Sequence, residues 1–297
     1  MSNFDDLFDA QPQQEQEDLP FDKEAWAEKK QAERQEVYEL ADATTLEVSE
    51  DGEKFKAFLD VKSRLIHYSA TNALLVLAQM PLATQLRDFD GWKAESASIK
   101  RNESHIKIFE AGDNYERPDG SVGTSWNVKH VFDVSQTNSR QRQRPAPQVE
   151  DRQLLQALIR KPPVPIQGID ELPNNMGAYY DHEQDMIFVR RGMEAHDIFR
   201  SLSKEIAHAE LAGADPNYTR ADAAFAAYSV SYVVCKRYGV DVSGYDFSRM
   251  PDSFRDADPQ SIRATLNEIS DVAKDMTGRM SRALEQNKPP RAKGQER

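Results

Sequence analysis

Between Glu194 and Leu211 the apolar side chains recur at helical spacing, and within that run stands Lys204-Glu205-Ile206-Ala207-His208. Ala195, Ile198, Phe199, Leu202, Ile206 and Ala209 share one stripe of such a helix, which other parts of the chain must cover; Lys204 and His208 fall on the other side. Spacing of four puts two side chains on one helix face. In the motif His-Glu-x-x-His this gives zinc two imidazoles while the glutamate handles a proton. Here Lys204 stands at the first histidine, and its ammonium repels the dication it would have to bind. A hydrolytic zinc site keeps three protein ligands and a water, which His208 alone does not supply. His182, His196, Asp197 and Asp222 are further ligand types, at spacings that predict no convergence on His208.

The surrounding pattern predicts the rest of this half. Asp151 to Arg160 reads as a short helix, and Tyr179-Tyr180 with Met186-Ile187-Phe188-Val189 as a hairpin about the turn 181–185. Gly213 is the expected C-cap of the Glu205 helix, and Thr219 the expected N-cap of a buried helix from Arg220 to Tyr238 that Gly239 ends. After Asp258-Pro259, Ile262, Leu266, Ile269, Ala273, Met276 and Met280 form the docking stripe of a last helix. The single cysteine, Cys235, lies in an apolar run and reads as a buried small hydrophobe.

Upstream, Phe55, Phe58, Leu59, Val61, Leu65 and Ile66 fall at helical spacing, and Asn72 to Met80 reads as a second helix stopped by Pro81. Ser98 to Lys100 and His105 to Phe109 alternate like half-buried strands, with Asn102 suited to a positive φ between them. The turn Arg117-Pro118-Asp119-Gly120 leads to a strand over Ser125 to Val134. The chain as a whole reads as α+β with two domains. The first, 51–137, is α+β; a linker spans 138–150; the second, 151–287, is mainly helical with a β-hairpin; 288–297 is a basic tail.

Charge is distributed unevenly. Residues 1–53 hold 17 Asp/Glu against 4 Lys/Arg, while the remaining chain holds 33 against 34. The overall acidity therefore belongs to one end, and a nucleic-acid partner stays compatible with the body of the chain. Residues 1–50 read as an acidic, largely disordered arm with a marginal helix at Asp22 to Leu40, where only Trp26, Val37 and Leu40 could dock. The longest apolar run, Ala73 to Ala78, is far short of the roughly 20 residues that span a bilayer, so no membrane partner and a cytoplasmic location are expected.

Three phrases in the first domain occur in order: Tyr68-Ser69-Ala70-Thr71-Asn72-Ala73-Leu74-Leu75, Gln79-Met80-Pro81-Leu82-Ala83-Thr84 with Trp92 downstream, and Val131-Phe132-Asp133-Val134-Ser135-Gln136-Thr137. Together they resemble the N-terminal domain of ArdC-like antirestriction proteins, over roughly residues 53–137. The resemblance implies single-stranded-DNA binding in a phage or other mobile element. The family's glycine-bearing basic turn appears here as Lys100-Arg101-Asn102-Glu103-Ser104. Across roughly 165–250 the chain resembles the zincin-type metallopeptidase domain that follows in such proteins. Here the resemblance implies that Lys204 occupies a histidine-ligand position and Tyr228 a glutamate-ligand position, leaving Glu205 and His208 of the four key residues.

These readings make the protein a single-stranded-DNA-binding accessory protein with a catalytically inactive zincin-like domain. No cofactor is expected; zinc enters, with His208 as ligand and Glu205 as catalytic residue, in the alternative of a peptidase using displaced ligands. The lysine at 204 can also act as a fixed positive charge in place of zinc, paired with Glu205. From Lys54 to Ile108 there are 9 Lys/Arg against 5 Asp/Glu. The expected DNA contacts are Arg64, Lys93, Lys100, Arg101 and Lys107 for phosphates, Tyr68 and Trp92 for stacking, and Asn72 and Gln79 for bases or phosphates. A host nuclease or restriction enzyme is the expected protein partner, and the acidic arm gives a further alternative, a protein-interaction module.

Overall fold

The computed structural model describes residues 22–139 and 149–286. The extreme N-terminal segment, most of the 138–150 linker and the basic tail lie outside the described residues. Within them the chain is α+β, with one small sheet in each half.

Asp22 caps helix α1 (Lys23–Glu50) by accepting hydrogen bonds from the Glu24 and Ala25 amides. The expectation of a solvated arm over this stretch is corrected. Val37, Ala41, Thr44, Thr45 and Val48 recur at helical intervals and are buried. Thr44 and Thr45 hide their hydroxyls by donating to the Leu40 and Ala41 carbonyls, so a stripe that looks half-polar docks like an apolar one. Trp26 stays exposed.

Polar contacts fix the register of α1. Glu33 meets the His130 ring at 2.7 Å, with His105 stacked on His130, and Glu36 pairs with Lys107. Burial alone would raise the Glu33 carboxyl, but hydrogen bonds from Lys30 and His130 outweigh it and hold it at about 2. Below its unfolded pKa the folded state binds fewer protons here than the unfolded state, so this contribution is present above about pH 4.5 and is lost as pH falls towards 2. Glu33→Gln is expected to cost about 1 kcal/mol near neutrality and almost nothing near pH 2.5, read from urea unfolding at both pH values. A cost independent of pH would show that Glu33 is not the titrating group.

Asp51 caps α2 (Gly52–Arg64) and Ser69 caps α3 (Ala70–Gln79), the two helices expected from the apolar spacing. After them come β1 (Leu86–Arg87), α4 (Phe89–Ala94), β2 (Ile106–Glu116) and β3 (Val122–Asp133), with antiparallel sheet order β1-β3-β2. The β2–β3 hairpin turns at Gly120, φ +80°, and extends well beyond the expected strands. Ser98 to Lys100 is not a strand; Ile99 makes a single bridge to Thr137, and Asn102 has the positive φ expected of it.

In the second half α5 (Asp151–Leu158) precedes β4 (Ile166–Ile169), β5 (Ala178–Asp181) and β6 (Met186–Arg190). The expected β5–β6 hairpin gains a parallel partner in β4, which pairs with β6. Helices α6 (Ala195–Ala214), α7 (Arg220–Arg237), α8 (Asp252–Arg255) and α9 (Pro259–Gln286) complete the chain. The cap of α6 is Asp215; Gly213, expected to end the helix, lies inside it. The six stripe residues expected of α9 are all buried.

One apolar core runs through both halves, from Phe55, Phe58 and Leu74 to Phe199, Val233 and Ile269. Phe55 of α2 packs against Phe225 of α7 and against Phe247 and Phe254. Polar bonds cross with it: Tyr232 donates to Asp60 at 2.7 Å, Lys236 pairs with Asp60, and Arg237 donates to the Ser63 carbonyl. Gly52 lies so close to the Phe247 backbone that any side chain there would collide with it. This contact seats the loop that forms one wall of the cleft described next.

Candidate functional site

Helix α6 is buried on both sides. Its stripe faces the core, and Glu205 and His208 are also shut away from solvent, with no side-chain exposure for Glu205. A carboxylate so placed needs compensating charge and donors. It receives the Tyr180 amide of β5 at 2.9 Å and the Arg220 guanidinium at 2.8 Å, with the Lys204 ammonium at 3.4 Å. Arg220 is also stacked over the Tyr179 ring. The principal counter-charge of Glu205 is therefore Arg220, and Lys204 is the longer, more exposed second cation. Sequence reasoning passed over Arg220 because it lies fifteen residues downstream; the available signal was that a glutamate on a doubly buried helix requires a cation, and an arginine opens the next helix.

His208 places its Nδ1 3.0 Å from the Tyr218 hydroxyl. Burial first, then the charges of Arg220 and Lys204, push its pKa down to about 3, so the ring is neutral. The Tyr228 hydroxyl accepts from the Asp246 amide, and its ring packs against Tyr245 and Phe247. Lys204, His208, Arg220 and Tyr228 line one cleft of about 410 Å³ with Phe225, Asp246, Phe247 and Arg249. The structure thus brings together Lys204, His208 and Tyr228, with Glu205 immediately beneath.

These residues do not fit a metal. Glu205 is engaged by cations, His208 lies near both of them, and a phenol stands at Tyr228. Among the described residues no three His, Cys, Asp or Glu side chains converge in a way that could hold an ion. His182 bonds to the Tyr180 hydroxyl, His196 pairs with Asp151, Asp197 with Arg200, and Asp222 accepts from Thr219.

The expected DNA contacts separate into two groups. Six are engaged by the fold. Trp92 is fully buried and donates its indole N–H to the Phe132 carbonyl, so it offers no face to a base. Asn72 exchanges two hydrogen bonds of 2.8 Å with the Phe109 backbone, and Gln79 does the same with Lys107 at 2.8 and 2.9 Å. These two carboxamides, seven residues apart on α3, close the outer edge of β2 at alternate residues. Arg64 is half-buried and donates to the carbonyls of Ala83 and Pro81. Tyr68 is partly buried, its hydroxyl turned to the Leu86 carbonyl, and Lys107 is held by Glu36.

Lys93, Lys100 and Arg101 are exposed. Lys93 and Arg101 have no ion pair among the described residues, and Lys100 donates to the Ser135 carbonyl. Phe89, unnoticed in the sequence, is 61% exposed and lies one helical turn before Lys93 on α4. No described helix is long and apolar enough to cross a membrane.

No family model matches the chain, and no curated protein matches it either. Among solved structures it is similar to the metal-free crystal structure of the antirestriction ArdC protein from plasmid R388, with 14% identity, a TM-score of 0.45, and coverage of 74% of this chain and 85% of that one. It is also similar to the Mn(II)-bound structure of that protein, with 14% identity, a TM-score of 0.48, and coverage of 78% and 99%.

Proposed function

We propose that this chain is an antirestriction-type accessory protein of a phage or mobile element that binds single-stranded DNA without turnover and acts in the cytoplasm. The observation that carries the DNA reading is the surface over Trp92. That indole, with Ala97, Val134, Ile99 and Phe132, forms a small core beneath residues 89–101. On the outside of the same segment stand Phe89, Lys93, Lys100 and Arg101; of the neighbouring acids, Asp88 pairs with Lys129 and Glu95 with Arg87, while Asp90 is exposed. Cations along a strand's backbone with an exposed aromatic face for a base are the recognition chemistry of single strands. Phe89 takes the stacking role expected of Trp92.

The absence of turnover is argued from the Glu205–Arg220 pair, which engages the glutamate beside His208 on the same helix. The second half then holds shape and supplies surface, with a host nuclease or restriction enzyme as the proposed protein partner.

Fluorescence anisotropy of a labelled oligonucleotide against salt tests the reading. Each single-strand phosphate neutralised contributes about 0.7 to the slope of log K against log salt, so replacing Lys93, Lys100 and Arg101 by alanine is expected to lower the slope by about 2. No affinity at about 50 mM salt, or an unchanged slope in the triple variant, would remove the claim.

A further inference from the structure

The polar side chains that line the cleft above His208 are, with one exception, hydrogen-bond donors. Lys204 and Arg220 present charged groups from α6 and α7, and Arg249 presents a third from the loop seated on Gly52, with no ion pair among the described residues. The Tyr218 hydroxyl faces Nδ1 of His208 at 3.0 Å; with its proton given to that nitrogen, the imidazole N–H sits on Nε2. Nε2 has no hydrogen-bond partner among the described residues and is not one of the enclosed polar atoms, so it opens on the cleft. The Tyr228 hydroxyl, which accepts from the Asp246 amide, keeps its own proton to donate. The one carboxylate in the lining, Asp246, accepts from Ser248 within its own turn and faces Lys56 as well as Arg249. A cleft with spare donors and hardly a spare acceptor is complementary to an anion.

The other walls narrow the chemistry. Phe225, Tyr228 and Phe247 give the cleft an aromatic side, and about 410 Å³ exceeds what a lone oxyanion fills. We propose that this cleft binds a nucleoside 5′-phosphate, its phosphate on Lys204, Arg249 and the His208 Nε2–H and its base against the aromatic wall. Arg220, tied to Glu205, supplies field more than contact. The same chemistry is available from a free mononucleotide and from the 5′-phosphorylated end of a single strand. The site uses none of the residues assigned to strand binding, so either can fail alone.

Calorimetry on the full chain with inorganic phosphate, dAMP, and a short oligonucleotide with or without a 5′-phosphate tests the assignment. Binding of dAMP that weakens about tenfold in Arg249→Ala, and similarly in Lys204→Ala, supports the site with a free nucleotide. A 5′-phosphorylated strand that binds about tenfold tighter than its 5′-hydroxyl counterpart, with the difference erased in Arg249→Ala, supports it with a strand end. Arg249 is exposed and unpaired among the described residues, so its variant is expected to fold; matching circular dichroism is the check. Inorganic phosphate binding as tightly as dAMP would overturn the nucleoside, and binding of neither dAMP nor a 5′-phosphate, or affinities unchanged in both variants, would overturn the site.

Discussion

Arg220→Ala is expected to destabilise the protein by about 3 kcal/mol, near the low end of the range for removing one partner of a buried ion pair. The cost arises from what stays behind: Glu205 remains fully buried, bonded to the Tyr180 amide, and retains only the Lys204 ammonium at 3.4 Å. The low end applies because the Arg220 side chain is 34% exposed, and water can enter where it stood. Lys204→Ala, in contrast, should cost less than about 1 kcal/mol, as a half-exposed second cation would. Adding Glu205→Gln to Arg220→Ala removes the stranded charge and should recover a large part of the loss, a coupling of about 1–3 kcal/mol in a double-mutant cycle from urea unfolding. Equal small costs for both cations would overturn Arg220 as the group that compensates Glu205. A larger cost for Lys204 would restore that lysine to the role.

Asn72→Ala carries the second large effect. The carboxamide satisfies both the N–H and the C=O of Phe109, and a buried backbone group left unpaired costs about 1–3 kcal/mol, so about 2–4 kcal/mol is expected for the two. Gln79→Ala, at the more open end of the same edge, should cost about 1 kcal/mol. The distinguishing measurement is oligonucleotide affinity per folded molecule, which Asn72→Ala leaves unchanged if the side chain serves β2. A loss of affinity at unchanged stability would return Asn72 to the DNA surface.

Elements whose neighbours in sequence decide their state were legible without the structure. The α9 stripe, the Thr219 cap and the positive φ of Asn102 are of this kind, each fixed by local spacing or local hydrogen bonding. What escaped depends on distant partners. Four residues of β4 become a strand because β6 is beside them, and α1 docks because its threonines satisfy themselves within the helix. The candidate cleft divides the same way. Lys204, His208 and Tyr228 were found through spacing and resemblance, but Arg220 is bound to Glu205 across a helix turn-around and Arg249 reaches the cleft from a loop. Trp92, Asn72 and Gln79 were polar or aromatic residues in a cationic stretch, and composition could not distinguish a stacking face from a core anchor, or a base contact from a strand clamp.

The core that passes from α2 into α7 bears on why a helix with no fitting metal site would be kept. Tyr232 and Arg237 are bonded to Asp60 and Ser63 of the first half, and Phe225 closes over Phe55. The helix bearing Lys204 to His208 packs against α7 from the other side. Cutting it out would open the first half's own interior to water. The charged residues that line the cleft can be exchanged one at a time, whereas the helix that carries Lys204 cannot be removed.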